Sequence, residues 1–283
     1  MKAHRLPFLL FVLLTTACAA PGAPEPAAAS AATAEAPPAS AAEPAAAPAP
    51  APEAAAPFDA AAVVAAGDRS EADRKLDAGR HPAETLAFFG VQPGMRVGEI
   101  ASGTGYTAEL LARAVGAQGA VYGVNSPWLL ERFAEKPWSA RLAKPVMQNT
   151  VRVDREFDAP FPEDVRDLDL VVNVLFYHDT VWMKTDRAAM NAAIFAALRP
   201  GGSYVVIDHS ARDGAGVSEA QSLHRIEASL VRSEIEAAGF RFVAAGTFLH
   251  NAEDTRDWNA SPMSAGERRG QSDRFALKFE KPQ

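Results

Sequence analysis

The segment VGEIASGTG, residues 97–105, restricts the fold of this chain more than any other segment does. It begins within residues 95–101, the first clear strand of the sequence, and it precedes residues 106–115, whose apolar side chains recur at helical spacing. Glycines at such a junction let the backbone turn sharply and approach a ligand, while the first N–H groups of the helix can bind a carboxylate or a phosphate. The junction alone also fits a dinucleotide fingerprint, with Ala108 in the last glycine position.

Strands and helices alternate along the rest of the chain. We predict strands at residues 95–101, 120–124, 150–153, 168–175, 204–208, 240–244 and 274–279, and helices at residues 83–89, 106–115, 186–198 and 218–238. This alternation predicts an α/β fold with a mostly parallel sheet and helices on both faces. The last two strands have no helix between them, so we expect them to form an antiparallel hairpin at one end of the sheet.

Several positions resemble class I S-adenosylmethionine-dependent methyltransferases. Glu99 occupies the place of the acidic residue on the first strand, Gly103 and Gly105 match two glycines of the first motif, and Ala101 replaces its first glycine. The turn LRPGGS, residues 198–203, resembles the turn before the fifth strand of these enzymes. The resemblance implies a Rossmann-like methyltransferase fold with a seven-stranded sheet and S-adenosylmethionine as cofactor.

Four further segments resemble an uncharacterised bacterial subgroup of predicted methyltransferases. They lie at residues 77–82, 177–179, 223–226 and 272–275. The subgroup implies the fold and the cofactor but no substrate.

The resemblance also implies cofactor contacts by position. The predicted cofactor-binding residues are Glu99, Ala101, Ser102, Gly103, Gly105, Asn125 and Asp154. Glu99 and the loop would hold the amino-acid end of the cofactor. Asn125 ends the second strand, where a carboxylate usually binds the ribose hydroxyls, and an amide makes such bonds without charge. Asp154 would lie near the adenine, or else it is a solvent-exposed loop carboxylate.

The predicted catalytic residues follow the fourth strand. Ligands of open parallel sheets bind beyond the carboxyl ends of the strands, and Tyr177, His178 and Asp179 lie at such an end. His178 is our candidate base or substrate contact, and the alternative is a histidine that satisfies a loop carbonyl. Asp208 and His209, after the fifth strand, are the second candidates.

Charge and composition limit the other functions. The net charge of −7, without a basic stripe, argues against nucleic-acid binding. One cysteine and six histidines without paired helical spacing predict no metal site. The charges at residues 68–80 predict a solvated helix face, with a lid over the site as the alternative. Arg225 is expected to pair with nearby acids.

The first 57 residues have the composition of an export signal and a tether. Residues 1–18 predict a signal peptide whose Cys18 resembles a bacterial lipoprotein acceptor, and ordinary signal cleavage is the alternative. Residues 19–57 are almost only alanine and proline and predict a disordered linker. Residues 58–283 would then form a lipid-anchored, periplasm-facing domain of the cell envelope.

Three functions remain in competition. The first is a methyltransferase that acts on a small molecule or an envelope component, although S-adenosylmethionine is a cytoplasmic metabolite. The second is a non-catalytic protein that binds a nucleoside-like or other small ligand. The third is an NAD-linked oxidoreductase, which Asn125 and the turn at residues 198–203 disfavour.

Overall fold

A seven-stranded sheet organises residues 58–283, which a computed structural model describes. Its strands are β1 (Arg96–Ile100), β2 (Ala120–Asn125), β3 (Thr150–Asp154), β4 (Leu168–Val174), β5 (Leu198–His209), β6 (Arg241–Gly246) and β7 (Arg274–Glu280). Their order is β3-β2-β1-β4-β5-β7-β6. The first five strands pair in parallel, and β7 pairs antiparallel with both β5 and β6. The parallel sheet and the closing hairpin are therefore confirmed.

Ten α-helices accompany the sheet in this part of the chain. They are α1 (Ala60–Ala65), α2 (Glu71–Arg80), α3 (Pro82–Phe89), α4 (Tyr106–Val115), α5 (Pro127–Leu129), α6 (Glu135–Leu142), α7 (Asp179–Trp182), α8 (Arg187–Ala197), α9 (Ala220–Leu223) and α10 (Ala228–Ala237). Capping residues define several helix ends. Ser70 Oγ accepts a hydrogen bond from the Asp73 N–H at the start of α2, and Gly90, whose backbone is left-handed, ends α3. None of these helices is both long and apolar enough to cross a membrane.

Two apolar layers cover the two faces of the sheet. One contains Leu111 of α4 and Trp138 of α6 against Val97, and the other contains Ile194 of α8 and Phe279 of β7. Each buried aliphatic or aromatic side chain of this size stabilises the fold by about 1.5–3 kcal/mol. Helices on both faces were predicted and are confirmed.

The predicted helix at residues 218–238 is interrupted. His224 has φ +51° and separates α9 from α10. Ile226 forms a β-bridge with Ser210, and the fully buried Arg225 pairs with Asp254 at 2.8 Å. These buried contacts outweigh the helical pattern, because tertiary packing overrides propensity. The pairing expected for Arg225 is confirmed.

The charged segment at residues 68–80 is solvated only in part, because Glu71, Arg74 and Lys75 are exposed whereas other charges of the segment are buried. Arg69 is 5% exposed and donates to both carboxylate oxygens of Asp77 at 2.7 Å. Asp73 is 6% exposed and accepts from Arg141 at 2.7 Å. Alternating charges predicted a surface, but here they pair across α2 and with α6. The predictions for residues 1–18 and 19–57 lie outside the described residues.

Candidate functional site

A cavity of about 300 Å³ lies beyond the carboxyl ends of β1, β4 and β5. The cavity brings together six of the predicted site residues, namely Glu99, Ala101, Ser102, Gly103, His178 and Asp179. Four others, Gly105, Asn125, Asp154 and Tyr177, do not line it. The order of the strands explains why residues from β1 and from the segment after β4 share one cavity, because β4 lies next to β1 and both strands run in the same direction.

Glu99 lies at the end of β1 as a buried carboxylate without a protein partner for one oxygen. It is 3% exposed, and burial raises its pKa to about 7. Glu99 Oε2 and the nearby Ser102 Oγ are buried and make no hydrogen bond with any described residue. An unsatisfied buried carboxylate is costly, so this end of the cavity suits a ligand that carries a donor or a positive charge.

Asn125 holds the loop rather than facing the cavity. Its Oδ1 accepts from the Gly103 N–H at 2.8 Å, and its Nδ2 donates to the Gly103 carbonyl at 3.2 Å. The side chain is fully buried and does not line the cavity, so it is not placed to meet a ribose hydroxyl. Asn125 shapes the loop from behind.

Gly105 also lies in the loop without lining the cavity. Its φ is +85°, and a Cβ at this position would lie 2.5 Å from the ring of Trp138. The conformation and the packing of Trp138 therefore require glycine, whereas ligand approach does not. Ala101, which replaces a glycine of the family motif, has φ +54°.

Asp154 agrees with the alternative of a solvent-exposed loop carboxylate. Its side chain is 41% exposed and accepts from Arg152 Nε at 2.8 Å. Arg152 also pairs with Glu135 at 2.7 Å. This ion-pair network lies on the surface and away from the cavity.

Arg80 is a cavity residue that the sequence analysis did not identify. It ends α2, and its guanidinium lies 4.3 Å from the ring centroid of Tyr106. Among the described residues it has no carboxylate within ion-pair distance. The Tyr106 hydroxyl donates to Asp77 at 2.6 Å, which ties α4 to α2 beneath Arg80. The one signal for Arg80 was the motif at residues 77–82.

His178 is held at both ring nitrogens. Nδ1 lies 2.7 Å from Asp208 Oδ1, and Nε2 lies 3.0 Å from Asp179 Oδ1 and 3.1 Å from His224 Nδ1. Burial alone would lower the pKa of His178, but the charge of Asp208 and the hydrogen bond with Asp179 outweigh it and raise the pKa to about 10. Nδ1 is held by Asp208, and Nε2 is directed at Asp179 and His224 instead of at open cavity space, so this geometry does not favour the predicted base.

Tyr177 lies in the core and not at the cavity. Its side chain is fully buried, and its hydroxyl hydrogen-bonds Glu234 and Asn191, each at 2.9 Å. Tyr177 belongs to the apolar cluster on one face of the sheet, and only His178 of this pair lines the cavity. The predicted catalytic role of Tyr177 does not agree with this placement.

Two further histidines line the cavity. His209, a second candidate, ends β5, and its Nδ1 lies 2.7 Å from Ser272 Oγ. Burial, followed by the charge of His178, lowers the pKa of His209 well below its usual value. His224 reaches the cavity because the chain is left-handed there, and a continuous helix at residues 218–238 could not have placed it so.

Comparison with known proteins finds similarity to methyltransferases. The family model for protein-L-isoaspartate(D-aspartate) O-methyltransferases matches residues 71–146, which span α2, the loop and Asn125. A ubiquinone/menaquinone biosynthesis C-methyltransferase of Teredinibacter turnerae is 26% identical over 179 residues, which are 60% of this chain and 67% of that protein.

Solved structures share the architecture. A SAM-dependent methyltransferase from Aquifex aeolicus superposes with a TM-score of 0.53 at 17% identity, over 74% of this chain and 97% of that one. The protein bound to the Trm112 methyltransferase activator of Haloferax volcanii gives 0.53 at 19% identity, over 80% and 98%. The chain therefore has the Rossmann-like fold of class I methyltransferases.

Proposed function

We propose that this chain, which has the class I methyltransferase fold, binds S-adenosylmethionine in the cavity beyond β1 and transfers its methyl group to a small molecule or an envelope component. The observation that carries the proposal is the pair of opposite charges in one cavity. Glu99 offers a buried carboxylate with an unpartnered oxygen, and Arg80 offers a guanidinium without a described carboxylate. An amino-acid zwitterion needs one group of each kind.

The residues of the chain take distinct roles in this proposal. Glu99 accepts from the ammonium group, Arg80 donates to the carboxylate, and Ser102 Oγ supplies a further polar contact. The bound cofactor supplies an activated methyl group, which a nucleophile attacks directly. The protein contributes mainly position, by holding the acceptor in line at the His178 side of the cavity.

Calorimetric titration with S-adenosylmethionine and its demethylated product tests the proposal. We expect Glu99→Gln and Arg80→Met each to weaken binding by about tenfold to a hundredfold, because each removes a charge-assisted hydrogen bond. Matched controls are Glu131→Gln, on the surface, and Arg232→Met, whose guanidinium lies 3.9 Å from the Phe242 ring centroid. Absence of binding at about 1 mM of either ligand would sink the proposal.

A non-catalytic binding protein is the second candidate. It is favoured by the ribose end of the site, where neither predicted contact, Asn125 or Asp154, lines the cavity. Ala101, which replaces the first glycine of the methyltransferase motif, also favours a non-catalytic binding protein. Tight binding of the demethylated product with no loss of methyl donor in any mixture of envelope extract would favour this function over methyl transfer.

We also propose that Cys18 carries the lipid that attaches the protein to the cell envelope. The support is the sequence of residues 1–18, with its charged start, apolar run and small residues before the cysteine. The periplasm-facing location follows from that proposal alone. It requires an outside supply of the cofactor, which makes the binding experiment the first one to perform.

A further inference from the structure

Three donor atoms in the cavity lie at the corners of a nearly equilateral triangle. His178 Nε2 is 3.0 Å from Asp179 Oδ1 and 3.1 Å from His224 Nδ1, and His224 Nδ1 is 3.2 Å from Asp179 Oδ1. These residues come from the loop after β4, the start of α7 and the break after α9. The expectation of no metal site relied on helical spacing of histidines, which cannot detect a set assembled from separate elements.

The spacing of these atoms matches one face of a metal coordination shell. An ion at about 2.1 Å from each donor would subtend donor–metal–donor angles of about 95°, close to the 90° of an octahedral face. Two imidazoles and one carboxylate on a single face leave the remaining positions open. All three residues line the cavity, so those positions face it.

The surroundings orient the donors as in established metal sites. A ligating histidine usually gives its other ring nitrogen to a carboxylate, and His178 Nδ1 lies 2.7 Å from the fully buried Asp208. Trp182 Nε1 donates to Asp179 Oδ1 at 2.7 Å. His224 is held at φ +51°, an unfavourable conformation for a residue other than glycine.

We propose that His178, Asp179 and His224 bind one divalent transition-metal ion that accepts octahedral coordination, such as Fe²⁺, Co²⁺ or Ni²⁺. Imidazole nitrogens suit zinc, iron, cobalt and nickel, whereas magnesium and calcium prefer oxygen ligands throughout. A small molecule with an oxygen or nitrogen donor is the ligand class that completes the coordination from the cavity side. The site does not depend on methyl transfer, because metal binding is measured without S-adenosylmethionine.

Equilibrium dialysis of the full, chelator-treated protein against Co²⁺ tests the site, since a site of this kind that takes zinc or iron also takes cobalt. We expect Asp179→Asn and His224→Asn each to weaken Co²⁺ binding by about 100-fold or more, and Asp208→Asn, a positioning residue, by about tenfold to 100-fold. Asparagine is chosen at residue 224 because it tolerates the left-handed conformation. Thermal unfolding followed by circular dichroism checks that each variant is folded.

The control is His250→Gln, which removes a histidine that also faces a carboxylate, with Nδ1 2.8 Å from Asp273 Oδ1, but lies outside the cavity. It should leave Co²⁺ affinity unchanged. Equal affinity in all variants would overturn the site. X-ray absorption of the unaltered protein with one equivalent of Co²⁺ decides the question even if a variant fails to fold. Two imidazoles in the coordination shell are expected, and a sulfur ligand or fewer than two imidazoles would overturn the proposal.

Discussion

Glu99 makes the affinity for the proposed cofactor depend on pH. Burial raises its pKa to about 7, so below that pH most of the carboxyl groups carry a proton. An ammonium ligand requires the ionised form, and at low pH binding must therefore release this proton. We expect affinity to fall as pH decreases from about 8 to about 6, approaching tenfold per unit below the pKa.

Calorimetry over this pH range measures the effect. The amine of the ligand titrates over part of the same range, so the difference between the unaltered protein and Glu99→Gln is the readout. The variant should lose the dependence that Glu99 introduces. An identical pH profile in both proteins would contradict the assignment of Glu99 to the ammonium group.

Gly105 and Gly94 separate two reasons for glycine. Both have positive φ, +85° and +84°, but a Cβ would clash with Trp138 at Gly105 and would meet nothing at Gly94, which lies in the turn closed by the Met95 N–H and the Gln92 carbonyl. We expect Gly105→Ala to lower the free energy of unfolding by about 2–4 kcal/mol, because conformational strain and overpacking add. Gly94→Ala should cost only about 1 kcal/mol. Equal losses in urea denaturation would show that Trp138 adapts without cost.

The break between α9 and α10 marks where sequence reasoning fails in this protein. Residues 218–238 have a helical pattern, and the pattern is correct on both sides of His224. The interruption depends on Ser210 and Asp254, which are distant in sequence and meet Ile226 and Arg225 only in the folded chain. The same distant contacts bring His224 to the cavity, so the local pattern could not reveal this part of the candidate site.

In helix α2, the charge pattern of the sequence was misleading about which side chains are exposed. Its alternating acids and bases resemble a solvated face, and only the neighbouring elements show that Arg69 and Asp77 are paired beneath Arg80. The partners Tyr106 and Arg141 lie 29 and 68 positions from the acids that they contact. Spacing within one helix cannot indicate such pairs.

Asp77→Asn tests how much this ion-pair network contributes to the free energy of unfolding. Burial would raise the pKa of Asp77, but the hydrogen bonds from Arg69 and Tyr106 outweigh it and lower the pKa below its usual value. Because the pKa of Asp77 is lower in the folded than in the unfolded state, its ionised form stabilises the protein above the unfolded-state pKa. That stabilisation is lost as pH falls through the folded-state pKa. At neutral pH we expect the variant to lose about 2–4 kcal/mol, since Arg69 is left buried without its charge partner.

Urea denaturation at neutral pH and near pH 3 measures the difference between the two proteins. The difference should shrink at the lower pH, because the Asp77 carboxyl of the unfolded chain binds a proton there and the stabilisation from the lowered folded-state pKa is progressively lost. Glu71→Gln is the control, because Glu71 is 81% exposed in its pair with Lys75 and should contribute about 0–0.5 kcal/mol. A loss that is independent of pH would point to packing instead of charge.

The topology of the sheet explains why the position of the site was more predictable than its members. Parallel strands direct their carboxyl ends to one edge, so Glu99 near the end of β1 and His178 after β4 had to share that edge once the order of strands was known. Which side chain turns inward depends on details of packing. Tyr177 turns to the core and Asn125 to the loop, although both occupy suitable positions in sequence.

The proposed attachment to the envelope rests on Cys18, a residue of the predicted signal segment. Each buried CH₂ of an acyl chain contributes about 0.8 kcal/mol to membrane binding, and stable anchoring needs more than one such signal. We therefore expect Cys18→Ser to move the protein from the membrane to the soluble fraction of fractionated cells. Thr15→Leu is the matched control, because it places an aliphatic residue three positions before the cysteine, as lipoprotein signals usually have. That variant should stay with the membrane. Unchanged membrane association of Cys18→Ser would rule out lipid attachment at this residue, while leaving the cavity and its proposed ligands unaffected.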